Sequence, residues 1–233
     1  MARKLPFKNF EWGPNLAYAV GLLTTDGCLS NDGRHIIMRS AEVGMLRTFS
    51  KCLNLTNNIC KTDGGKGYRI QFGAVRFYNW LAKIGLTPAK THTLGAIAVP
   101  DVFFRDFLRG HLDGDGSIRF YNDQYNVYRG RTYNNLRLSV RFISASKSHI
   151  TWLQKRVNEL TKLHGALICN KPSDKNRVPI WEIKFSKKES VRLLNWIYYE
   201  PALPSLERKR LSAMKALAEI AREQRKEYTM IES

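Results

Sequence analysis

The apolar positions along this chain change period several times, and the changes recur in the same order in its two halves. "NLAYAVGLLTT" and "FFRDFLRGHLDG" are short runs with apolar residues at helical spacing. Each is closed by a glycine, Gly27 or Gly116, which predicts a left-handed C-terminal cap. "NNLRLSVRFIS" alternates strictly, with Leu136, Leu138, Val140 and Phe142 on one face and Arg137, Ser139 and Arg141 on the other. The same period sets Tyr68, Ile70 and Phe72 against Arg69 and Gln71, and Trp181, Ile183 and Phe185 against Lys184. "EVGMLRTFSKCL" and "SHITWLQKRVNEL" are amphipathic helices suited to cover the apolar sheet face. Each half therefore reads helix, hairpin, helix, hairpin, helix.

The halves also match in sequence. "GLLTTDGCL" aligns with "GHLDGDGSI", which places Asp115 at the position of Asp26, 89 residues on. "KCLNLTNNICK" then resembles "NELTKLHGALICNK", bringing Cys60 near Cys169. "YRIQFGAVRFYNWL" parallels "WEIKFSKKESVRLLNWI", and "GLTPAKT" parallels "PALPSLERKR". Four matches in one register define a duplicated α/β unit. The aspartate-to-Trp spacing is 54 residues in the first half (Asp26 to Trp80) and 81 in the second (Asp115 to Trp196). The 27 extra residues fall mostly in "FYNDQYNVYRGRTYNN". Residues 1–99 and 100–211 are read as the two repeats, joined through 95–104, with 212–233 a charged C-terminal helix and tail.

Charge narrows the partner. Lys and Arg number 38 against 20 Asp and Glu, a net charge of +18, which favours a polyanion. No apolar run approaches the length of a membrane span, and the start lacks a secretory h-region, so an intracellular protein with no membrane partner is expected. Cys28, Cys52, Cys60 and Cys169 form no C-x-x-C pair, which argues against a zinc site or a disulfide framework.

Against this basic background the acidic ends of the two apolar helices are conspicuous. A helix C-terminus already carries partial negative charge, so a carboxylate there is unfavourable by about 0.3–1 kcal/mol. Gly21 with Thr25, and Gly110 with Gly114, are small residues at i, i+4 spacing that let two backbones approach. If these helices pack about a pseudo-twofold axis, Asp26 and Asp115 arrive side by side, which favours a divalent cation between them. Oxygen ligands and free helix carbonyls suit Mg²⁺.

These two stretches resemble the LAGLIDADG motifs of homing endonucleases, in the single-chain form with two motifs. "LRGHLDGDG" (108–116) matches closely, with Asp115 at the acidic position. "AVGLLTTDG" (19–27) has Thr24 where the motif has its first Asp, but keeps Asp26. The resemblance runs from about residue 12 to 211. It implies an α+β fold of two pseudo-twofold-related αββαββα units forming a DNA-binding saddle of antiparallel sheets. The motif helices, about 15–27 and 104–116, would be the interface, and the chain a monomer. It further implies a site-specific, intron-encoded endonuclease that hydrolyses both strands of a long, weakly palindromic DNA target and leaves short 3′ overhangs. Mg²⁺, with Mn²⁺ as substitute, would be held by Asp26 and Asp115 with the carbonyls of Thr25 and Gly114. A basic residue near each metal is implied: Lys90 in the first half, and Lys209 in the second, where Arg208 is the alternative.

The polar sheet faces supply the expected DNA contacts: Arg34, Arg39, Arg69, Gln71, Arg119, Tyr121, Tyr128, Arg129, Arg131, Arg137, Ser139, Arg141 and Lys184. Arginine to guanine and glutamine to adenine are the natural major-groove pairs. Arg39 and Arg141 are further read as positioning scissile phosphates. Trp80, Trp152 and Trp196 lie on apolar faces and are expected in the core, and His92, His111, His149 and His164 are read as non-catalytic. The competing functions are an RNA maturase that assists group I intron splicing, which would not need both aspartates, and a transcription regulator, which would need an added DNA-binding module.

Overall fold

The computed structural model describes residues 10–62, 64–128, 131–172 and 178–231. The first repeat runs α1 (Pro14–Asp26), β1 (Gly27–Leu29), β2 (His35–Ser40), α2 (Val43–Cys52), β3 (Ile59–Lys61), β4 (Tyr68–Gly73) and α3 (Val75–Lys83). The second runs α4 (Phe104–Asp115), β5 (Ser117–Tyr128), β6 (Arg131–Ser144), α5 (Lys147–Thr161), β7 (Ala166–Asn170), β8 (Ile180–Phe185) and α6 (Lys187–Ile197). A last helix, α7 (Glu207–Ile231), begins within the stretch that sequence reading gave to the second repeat. Two four-stranded antiparallel sheets have the matching orders β1-β2-β4-β3 and β5-β6-β8-β7. The α+β class and the αββαββα order of each unit are as expected.

Each sheet buries the face that alternation assigned to the core. Ile36, Met38, Ile70 and Phe72 lie inward with Leu46 and Phe49 of α2. Val140, Phe142, Ile183 and Phe185 do the same with Ile150, Leu153 and Val157 of α5. Trp80, Trp152 and Trp196 pack partly buried against this core.

The two motif helices cross at the centre of the molecule. Every residue of α1 from Ala17 to Thr24 is buried, which is why this helix carries no polar face. Burial of Leu22 and of Leu23 contributes about 1.5–3 kcal/mol each. Gly21 and Gly110 set the crossing distance. A Cβ on Gly21 would lie 2.1 Å from the Phe107 carbonyl oxygen, and one on Gly110 would lie 2.1 Å from the Tyr18 carbonyl oxygen. With the 89-residue offset, Gly21 corresponds to Gly110 and Tyr18 to Phe107, so the two contacts are one contact and its pseudo-twofold mate.

The helix ends differ from expectation. Gly27 (φ −86°, ψ 153°) and Gly116 (φ −86°, ψ 170°) are extended, with no left-handed cap. Each turns straight into a strand, and glycine is required by proximity. A Cβ would sit 2.5 Å from the Leu23 carbonyl oxygen at Gly27 and 2.7 Å from that of Leu112 at Gly116.

The motif positions where the halves differ are also explained. Asp113 is buried, accepts from Tyr18 Oη at 2.8 Å and from the Leu206 amide at 2.6 Å, and so ties α4 to α1 and to the approach to α7. Its counterpart Thr24 instead returns its hydroxyl to the Val20 carbonyl at 2.8 Å.

Candidate active site and nucleic-acid interface

Asp26 and Asp115 are the last residues of α1 and α4, brought to the same end of the crossed pair. Asp26 lies against the opposite helix: a Cβ on Gly114 would meet its Oδ2 at 2.8 Å and Thr25 Oγ1 at 1.9 Å. The Asp26 carboxyl is pushed up to about 6, first by burial and then by the Asp115 carboxylate. Asp115 reaches solvent, yet the protein on its other sides raises it too, while Lys90 and Lys209 pull it down.

Lys90 and Lys209 are both buried, and each caps the helix end beside an aspartate. Lys90 Nζ donates to the carbonyls of Thr25, at 3.4 Å, and Gly27, at 2.5 Å. Lys209 Nζ donates to those of Leu112, Asp113, Gly114 and Gly116, at 2.7, 2.8, 3.1 and 2.7 Å. Thr25 and Gly27 correspond to Gly114 and Gly116, so the two lysines repeat one arrangement. The carbonyls a helix leaves unpaired are satisfied, and their negative dipole end meets a cation. Burial lowers the pKa of both lysines, with nearby carboxylates opposing it. Arg208, the alternative to Lys209, is exposed and pairs with Glu42 at 2.8 Å, away from the helix ends.

The donor set at this centre is hard oxygen. Among the described residues no three His, Cys, Asp or Glu side chains converge, so a cation here must rely on two carboxylates, backbone carbonyls and water. Mg²⁺ tolerates that composition because it keeps several waters. The Thr25 and Gly114 carbonyls each accept their lysine at the longest distance of its set and retain a lone pair.

Both sheets carry a polar row outward. In the first, Arg39 and Arg69 stand directly opposite, and Gln71 stands opposite Ile37. Arg34 is exposed in the turn before β2. In the second, Ser117 faces Arg141, Arg119 faces Ser139, Tyr121 faces Arg137, and Arg141 also faces Lys184. Arg137 pairs with Asp123 at 3.0 Å, and Arg141 lies 3.6 Å from Glu182. Tyr128 and Arg131 are placed by strand register alone, and Arg129 lies outside the described residues.

Strand register makes the correspondence between the halves exact to the residue. Gly27 pairs with Met38, and Gln71 with Ile37; Ser117 pairs with Arg141, and Arg141 with Lys184. Arg141 therefore corresponds to Ile37, and Arg39 to Ile143. Cys60, opposite Arg69, corresponds to Ile168, opposite Glu182, one residue short of Cys169.

Sequence reading also passed over residues the fold brings forward. Cys28 and Ser117 each sit two residues beyond a motif aspartate, on the first outward strand position, which their D-G-x spacing could have signalled. Glu182 is buried on the polar face beside Arg141, a pairing across strands that no local pattern shows. His111 and His149 stack in the core with Nε2 atoms 3.0 Å apart, away from the aspartates' surface.

No protein-family model matches this sequence, and no curated protein does. Solved structures do match. The homing endonuclease I-LtrWI bound to target DNA is 11% identical, with a TM-score of 0.58 over 90% of this chain and 91% of that one. Meganuclease I-SmaMI bound to uncleaveable DNA is 9% identical, with a TM-score of 0.60 over 95% and 93%. Full-length DUF199/WhiA from Thermatoga maritima is 14% identical with a TM-score of 0.53, over 91% of this chain but only 63% of that one. Across nearly its whole length, the chain has the fold seen in the LAGLIDADG homing endonucleases.

Proposed function

We propose that this protein is a site-specific endonuclease acting on double-stranded DNA, with the crossed ends of α1 and α4 as its catalytic centre. The observation that carries this reading is the pair Asp26 and Asp115, each beside a buried lysine, at the pseudo-twofold axis between two basic sheet faces. A chain that only bound nucleic acid would have no use for two carboxylates that repel each other and a phosphate backbone.

Asp26 and Asp115 would hold a divalent cation with water and the Thr25 and Gly114 carbonyls. When bound, such an ion supplies Lewis-acid charge and lowers the pKa of its water. The chain's own residues do the rest. Lys90 and Lys209 fix the carbonyls that frame the site and place positive charge where the pentacoordinate phosphorus of the transition state gathers negative charge. Arg39, Arg69, Arg141 and Lys184 neutralise backbone phosphates, and Gln71, Arg119 and Arg137 face base edges. Because each strand of the duplex meets one half of the centre, the product is a double-strand break. Short 3′ overhangs, an intron origin and an intracellular setting complete the reading, and because both motif helices lie in one chain, a monomer suffices.

The test incubates purified protein with a randomised duplex library and Mg²⁺ and sequences the cut ends. A single recurrent long target cut on both strands supports the proposal. Metal-independent cutting, or no cutting with tight binding to a structured RNA, refutes it; the latter is the maturase outcome.

A further inference from the structure

The two halves differ most in how far their first hairpins reach, and both hairpins start at the same landmark, the residue after a motif aspartate. In the first half β1 has 3 residues and β2 has 6. In the second, β5 has 12 and β6 has 14. Pairing runs only from Gly27↔Met38 to Leu29↔Ile36 in the first half. In the second it runs from Ser117↔Arg141 to Tyr128↔Arg131, with one irregularity between Asp123 and Asn126.

Most of the longer hairpin is a two-stranded ribbon. β8 pairs with β6 only over Val140–Ser144, so the strands beyond Val140 have each other alone. An isolated hairpin is marginal in water, and this one is supported on one side. Ile118, Phe120 and Leu136 pack partly buried against the core, Leu138 is buried, and β5 touches α7. The opposite side bears Arg119, Tyr121 and Arg137, of which Tyr121 is 56% exposed. In the first hairpin the Ser30 amide bonds to the His35 carbonyl at the rung that corresponds to Arg119 and Ser139, and the loop closes there, so among the described residues no strand pair corresponds to Tyr121 and Arg137. The major groove admits a two-stranded ribbon.

Resting on the proposed DNA-cleaving function, we infer that the ribbon Ser117–Ser139 is a one-sided reader, so that the DNA site extends much farther from the cut on the side of the second repeat. At about 3.3 Å per residue, β5 spans roughly 40 Å and the 6 residues of β2 roughly 20 Å. With a rise of about 3.4 Å per base pair along the duplex axis, this is roughly 12 base pairs against roughly 6. Tyr121 and Arg137 set preference at outer base pairs for which the other half-site has no equivalent reader.

The experiment selects bound duplexes from a randomised library in EDTA, then maps hydroxyl-radical protection on the selected site. The intact protein is compared with a variant in which residues 121–137 are replaced by Asn-Gly, which joins Phe120 to its partner Leu138 by a tight turn. Protection should shorten at one end only, by roughly 5–8 base pairs at the same strand and duplex spacings. Should that variant not fold, Arg119→Ala, Tyr121→Ala and Arg137→Ala serve. At least one should relax preference by roughly 5- to 100-fold at positions farther out than any affected by Arg34→Ala or Gln71→Ala. Equal protection and equal preference on both sides overturn the inference while leaving the proposed function intact. Failure to bind any duplex overturns the proposed function, and the inference with it.

Discussion

Asp26→Asn should make the metal-free protein more stable. The Asp26 carboxyl stands at about 6 in the folded chain against 3.8 as its ordinary value, a rise of roughly 2. At about 1.36 kcal/mol per unit, ionising it in the fold costs up to about 3 kcal/mol. Partial exposure and solvent screening reduce this to about 2 kcal/mol, or roughly 4–8 °C in Tm for a chain of this size. The pH dependence has a definite sign. Above pH 6 the group is ionised in both states and the full cost is present. As pH falls toward 3.8 the folded state takes up the proton first, the cost shrinks, and the advantage of the asparagine variant disappears. Calorimetry of both proteins in EDTA at pH 7.5 and at pH 4.5 measures it. Added Mg²⁺ should reverse the order at high pH, because binding stabilises only the chain that keeps both carboxylates. An asparagine variant no more stable than the parent at pH 7.5 in EDTA would refute the account of a strained acidic pair.

Three further outcomes are expected. Asp26→Asn and Asp115→Asn should each suppress double-strand cleavage at least 100-fold in a plasmid assay while gel-shift binding survives, and EDTA should do the same to the parent. Gly21→Ala should cost about 3 kcal/mol or more by denaturant unfolding, since its Cβ would meet backbone, which cannot give way as a side chain can. Lys209→Met should destabilise by about 3–5 kcal/mol, more than Arg208→Met, because it strands carbonyls at the end of α4 whereas Arg208 leaves an exposed ion pair.

Much of the fold was legible because it rests on period and repetition. The alternation in 136–142 predicted which side of β6 is buried, and the duplicated D-G placed two helix ends together. What stayed hidden depends on distance rather than pattern. The glycines after the aspartates looked like left-handed caps, yet a close carbonyl rather than a positive φ selects them. Arg39 and Arg141 were read alike as positioning scissile phosphates, yet the strand pairing sets them on different rungs, Arg141 matching Ile37 and Arg39 matching Ile143. Lys209 could not be told from Arg208 in "ERKR", since the choice is made by which side of α7 meets the carbonyls of α4. Arg109 is fully buried between Asp106, one helical turn back, and the carbonyls of Ile197 and Pro204, which lie 88 and 95 residues farther along the chain.

The crossing at Gly21 and Gly110 also bears on how such a molecule can be divided. One side of each motif helix is covered by its own repeat and the other by the opposite motif helix, so a half on its own would bare that second, apolar side to water. The duplicate rather than the repeat is therefore expected to be the folding unit, even though among the described residues every strand pairs within its own half. Cutting the polypeptide in the connector near residues 95–100 should yield two fragments that are aggregation-prone apart and recover one another when mixed. Catalysis would then depend on the meeting of two separate gene products.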